Sequence, residues 1–168
     1  MIFKTTLRFC RILVSGSLIS GCLIATAFAQ QDDIVGTWDC GLTIEDQASG
    51  AVINADFETS YNANGTYTRV GVMSIVVAAF EVDISIGMDE AGNWRLVDST
   101  GLAETATEVD LSSTAATPSP METVMLQQMQ QEATAALSQE EVAQIRSLTA
   151  TTMQLEDDDG AALSCAKA

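Results

Sequence analysis

Apolar and polar residues alternate along most of the chain from about residue 36, with the period of a strand that has one buried face. In Gly36-Thr37-Trp38-Asp39-Cys40-Gly41-Leu42-Thr43-Ile44, the residues Trp38, Cys40, Leu42 and Ile44 share one side. From Gly50 onward Ala51, Ile53, Ala55, Phe57, Thr59 and Tyr61 share a face. Asn54, Asp56, Glu58 and Ser60 take the other, as in an antiparallel sheet wet on one side. Asn62-Ala63-Asn64-Gly65 supplies a tight turn. Thr66 to Ala78 follows as a third strand whose apolar residues fall on both parities. Phe80, Val82, Ile84, Ile86 and Met88 then alternate with Glu81, Asp83, Ser85 and Gly87. Asp89 to Asn93 reads as a turn, Trp94 to Val97 as a short strand, and Thr105 to Ser112 as a sixth strand.

The period changes at Thr117-Pro118-Ser119-Pro120. Ser119-Pro120-Met121-Glu122 is a capping box with proline at the first helical position. Met121, Val124, Met125, Met129 and Ala136 fall on one helical face, with glutamines opposite. Ser138-Gln139-Glu140-Glu141 reads as a second capping box, opening a short helix through Val142, Ile145 and Leu148. Strands at about 149–155 and 161–167 end the chain, with Asp159-Gly160 as the hairpin turn between them. An EF-hand reading of Glu156 to Gly160 fails, because the register that puts Gly160 sixth puts Leu155 first and Ala166 twelfth. The expected fold is mainly β: an antiparallel, about eight-stranded up-and-down barrel, with a helical insertion at about 119–148 before the last two strands.

Residues 1–29 follow another rule. Lys4, Arg8 and Arg11 precede an apolar stretch from Ile12 to about Ala25, and Ala27-Phe28-Ala29 closes it with small residues where a signal peptidase reads. This is the form of a secretory signal peptide. The run falls short of the ~20 residues of a spanning helix, so no stable membrane span is expected. Ile19-Ser20-Gly21-Cys22 loosely resembles a bacterial lipobox, which would put a lipid on Cys22. The apolar run nevertheless continues to Phe28, where a lipoprotein turns polar. The expected location is periplasmic or secreted, with lipid anchoring through Cys22 as the alternative.

Removing the signal leaves residues 30–168, the length of one domain. It holds four bases (Arg69, Arg95, Arg146 and Lys167) against 23 acids, a net charge of −19. Such a chain repels phosphate backbones and anionic lipid, so no nucleic-acid partner is expected. Cys40 and Cys165 are the only cysteines left, and an oxidising compartment favours their one possible bridge. By loop closure that bridge is worth on the order of 5 kcal/mol.

Gly36-Thr37-Trp38, near the mature start and on the first of about eight antiparallel strands, resembles the Gly-x-Trp opening of the lipocalins and related calycin barrels. The nearest likeness is to small secreted bacterial lipocalin-like domains. In that family the tryptophan closes the bottom of the barrel and a late basic side chain packs across it. The resemblance therefore implies Trp38 and Lys167 as a barrel-closing pair, and antiparallel pairing of Cys40 with Cys165 sets the two opposite each other. The chain departs from the family in lacking a Thr-Asp-Tyr-like second motif, in using lysine for arginine, and in placing its helix before the last strands.

The chain has no histidine, so histidine triads and histidine metal sites are excluded. A bridged cysteine pair leaves no thiolate nucleophile. The acids fall mostly on the wet parity of the strands, and neither catalysis nor a cofactor nor a metal is expected. Two functions stand. In the first, implied by the resemblance, the barrel takes a small apolar or amphipathic ligand lined by Phe57, Tyr61, Met73, Phe80, Ile84 and Trp94. In the second the barrel is filled, the same residues only pack, and the protein is an envelope structural or protein-interaction module.

Overall fold

The computed structural model describes residues 31–46, 50–77 and 82–168. The expected signal segment, Cys22 within it, and Phe80 lie outside the described residues. Among those described, eight strands form a closed antiparallel barrel in sequence order, β8 returning to β1. The strands are β1 (Gly36–Asp46), β2 (Ala51–Tyr61), β3 (Thr66–Val77), β4 (Val82–Leu96), β5 (Gly101–Ser113), β6 (Glu140–Leu148), β7 (Thr152–Glu156) and β8 (Ala162–Lys167). One helix, α1 (Pro120–Ala136), lies between β5 and β6.

The wall is uneven. β1 to β5 run 11 to 15 residues, whereas β6 to β8 run only 5 to 9. β8 pairs with β1 only from Trp38 to Gly41, and β6 with β5 only from Gly101 to Thr105. The three short strands therefore complete the barrel at one end, and at the other β5 continues with an open edge. α1 covers that edge. The Gln130 side chain donates to the Val109 carbonyl at 3.1 Å and accepts from the Leu111 amide at 2.8 Å, replacing the strand that is missing there. At its start α1 has the expected capping box: the Ser119 hydroxyl accepts from the Glu122 amide, and the Glu122 carboxylate accepts from the Ser119 amide.

Three expected elements are corrected. Asp89 to Asn93 is no turn, because β4 runs unbroken from Val82 to Leu96 and keeps its parity past Met88 to Glu90, Gly92 and Trp94. The predicted helix after Ser138 is a strand, β6, so the helical insertion ends at Ala136 and three strands follow it. Its helix-like spacing, Ile145 to Leu148, arises from a β-bulge at Arg146: Ile145 faces Leu155 and Leu148 faces Met153, on one side of the sheet. The third correction concerns the face of α1. Met121 and Val124 are 57% and 63% exposed, while Glu122 is buried, and the side packed on the barrel is polar in part, through Glu122 and Gln130.

The closed end is packed. Ile34, Trp38, Cys40, Tyr61, Tyr67, Trp94, Leu102, Ile145, Met153, Leu155 and Cys165 form one buried cluster. Cys40 and Cys165 are directly paired and joined by a disulfide, and Trp38 pairs with Lys167 two residues along. Lys167 Nζ lies 5.0 Å from the Trp38 ring centre and donates to the Asp33 carbonyl at 3.3 Å, while the indole N–H donates to the Ile34 carbonyl at 2.7 Å. Gly36 makes room for this. Its φ of +134° suits glycine, and a Cβ there would stand 2.8 Å from Lys167 Cε.

Candidate functional site

Above the packed end the barrel interior turns polar. Arg69 on β3 points inward with Tyr67, and its cross-strand neighbours are Thr59 on β2 and Glu90 on β4. The guanidinium donates to Glu90 Oε1 at 3.1 Å and to the two oxygens of Glu104, on β5, at 2.7 and 3.0 Å. Its Nε donates to Thr59 Oγ1 at 3.2 Å. Phe57 and Tyr67 flank it with their rings, centred 5.0 and 5.3 Å from the guanidinium carbon. The phenols complete the cluster: Tyr61 donates to Glu104 at 2.6 Å, and Tyr67 donates to Glu90 at 2.5 Å. Among the described residues no buried side-chain nitrogen or oxygen lacks a partner.

Local sequence explains the crowding. A bulge on β5 leaves Thr107 unpaired, so Glu104, Ala106 and then Val109 face inward across the irregularity. Gly92 lets Tyr67 lie against β4, since a Cβ at Gly92 would be 2.7 Å from the Tyr67 ring. Glu141 stands opposite Glu104 on β6 and so faces the same way.

Electrostatics follow from burial and proximity. Burial works against the charge on Arg69, but Glu104 and Glu90 outweigh it and hold the guanidinium protonated. Burial, then the Glu104 charge, pushes the Tyr61 phenol well above its ordinary value, and burial with the hydrogen bond to Glu90 does the same for Tyr67. The Glu141 carboxyl is raised by partial burial and by the charges of Glu90 and Glu104.

Over this cluster lies a cavity of about 200 Å³. Tyr67, Arg69, Glu90 and Glu104 line it together with Ala106 and Val109 of β5, Ala133 and Ala136 of α1, and Gln139 and Glu141. It is amphipathic: one set of groups is charged, the other small and aliphatic. Its size is below the ~300–1,000 Å³ of sites for drug-sized ligands.

The six residues expected to line a ligand site are dispersed differently. Phe57, Tyr61 and Trp94 belong to or pack on the closed-end core, with the Tyr61 and Trp94 rings 5.4 Å apart and edge to face. Met73 and Ile84 lie on the inward parity farther along β3 and β4, and Phe80 is outside the described residues. None of the five described residues lines the polar cavity. Arg69, Glu90 and Glu104 were not expected there. The signal available was parity, since the alternation of Ile84, Ile86 and Met88, carried two residues farther, places Glu90 inside.

Compared with known proteins, the chain matches no family model and no curated sequence.

Proposed function

We propose that the mature chain is an exported, non-enzymatic binding barrel of the lipocalin-like kind, and that its helix-walled cavity takes a small amphipathic ligand with a cationic head. One observation carries this reading: three carboxylates (Glu90, Glu104 and Glu141) face the cavity with a single guanidinium, while Ala106, Val109, Ala133 and Ala136 supply apolar wall. Arg69 answers part of that negative charge, and a ligand ammonium beside Glu141 answers more. The likeness of Gly36-Thr37-Trp38 to the lipocalin opening and the stacking of Lys167 on Trp38 favour the family reading.

A second reading rests on the completeness of the cluster. Because the buried polar atoms already satisfy one another, Arg69 and its partners suffice as an interior scaffold, and the protein would then act through its surface. Titration with hexylammonium, followed by NMR against hexanoate as control, separates the two. Binding of the amine alone, lost in Ala136→Leu and weakened in Glu141→Gln, supports the cavity. Indifference of the spectrum to both probes, with no ligand retained in native mass spectrometry of protein from its own envelope, leaves the scaffold reading.

A further inference from the structure

The outer face of β1 to β5 carries a charge arrangement that the barrel itself does not use. Pairing places Asp39 opposite Glu58, Glu58 opposite Val70, Val70 opposite Asp89, and Asp89 opposite Asp110. One lateral row across five strands therefore reads acid, acid, valine, acid, acid, and all five residues are exposed. Two of its contacts, Asp39 with Glu58 and Asp89 with Asp110, oppose like charges directly, which weakens a sheet.

The protein's own cations are engaged elsewhere. Arg69 is inside the barrel, Arg95 pairs with Glu140, Arg146 pairs with Glu156, and Lys167 lies on Trp38. These are all four bases beyond residue 30. At the centre of the row Val70 is 56% exposed, and Val72 beside it on the same face is 46% exposed. The row through Val72 runs from Gly41 to Asp56, Val72 and Gly87, with the Asp56 carboxylate lying over Gly41 and the Ser112 hydroxyl over Gly87. A depression of about 430 Å³ lies on the β1–β2 side of the valines and one of about 230 Å³ on the β4–β5 side, each rimmed by carboxylates.

We propose that this face docks a basic segment of a partner protein, with an apolar side chain seated on Val70 and Val72 and its cations held by Asp39, Glu58, Asp89 and Asp110. Charge complementarity selects the occupant. Over residues 30–168 a net charge of −19, four bases against 23 acids, disfavours a second copy, nucleic acid and anionic lipid alike. The apolar centre asks for more than a diffuse counterion, because a cation alone gains nothing from two exposed valines.

The test titrates the intact mature protein with an alternating lysine–leucine peptide, using lysine–serine and glutamate–leucine peptides as controls. Binding is read by calorimetry and by the methyl resonances of Val70 and Val72. The lysine–leucine peptide should bind and shift both methyls. Val70→Thr with Val72→Thr should weaken it about tenfold, and replacing the four acids by their amides should abolish it at physiological salt. The amide variant should also melt no lower than the parent, since it relieves the like-charge contacts. The proposal is overturned if lysine–serine binds equally well and the valine change has no effect, which would mean counterion association only. Shifts confined to another face, or self-association lost in the valine variant, would overturn it as well.

Discussion

Arg69 holds Glu104 by both of its oxygens, at 2.7 and 3.0 Å, inside a barrel whose other bases all work on the outer wall or at its closed end. Removing the cation leaves the inward carboxylates of Glu90 and Glu104 with only the Tyr67 and Tyr61 hydroxyls to offset their charge. Arg69→Leu should lower stability by about 3–5 kcal/mol in urea unfolding. Adding Glu90→Gln and Glu104→Gln should restore much of that loss, since the triple variant buries no unpaired charge. A single Arg69→Leu protein as stable as the parent would show that the cluster contributes little.

The chain has two tyrosines, and both donate to carboxylates of this cluster. Their phenols are raised in the folded state above the ordinary value of 10.0. Between that value and their folded values the native barrel retains protons that the unfolded chain has lost. The tyrosine contribution to stability should therefore be constant below about pH 10 and fall above it, by about 1.4 kcal/mol per pH unit for each tyrosine. Tyrosinate absorbance near 295 nm should rise only as the barrel unfolds, in one step with the loss of circular dichroism. Ionisation of either phenol in folded protein near pH 10 would contradict the buried hydrogen bonds.

The disulfide joins directly opposed positions on the first and last strands, 125 residues apart in sequence. Replacing both cysteines by serine should cost about 2–5 kcal/mol, and non-reducing peptide maps of exported protein should recover the linked pair. Alkylation of both thiols in native protein would mean that the compartment does not oxidise them.

Export is expected to end at Gln30. Intact mass of the protein from its own cells should correspond to residues 30–168. A diacylated Cys22 would instead place the barrel on a membrane surface, although no helix among the described residues is long and apolar enough to cross one.

Alternation by itself determined the strands whose two faces differ in chemistry. β2 and the pairing of β1 with β8 were legible for that reason, down to Trp38 opposite Lys167 once two cysteines had to meet. The inserted helix followed from its capping box. The count of eight strands agrees with the closed barrel only because two errors cancel, a break in β4 at Asp89 to Asn93 and a helix in place of β6. The interior depends on pairing between strands. Arg69 lies in a strand with apolar residues on both parities and Glu104 lies just before the recognised strand, so neither announces its inward direction; Glu90 continues the parity of Ile84, Ile86 and Met88, but its surroundings resemble a turn. Each is turned inward by partners far away in sequence, and each buried charge is tolerable only because the others stand within hydrogen-bonding distance. The bulges at Thr107 and Arg146 act in the same way. They shift the period of the inward face from two to three, which a single strand reads as helix and only a paired neighbour shows to be sheet.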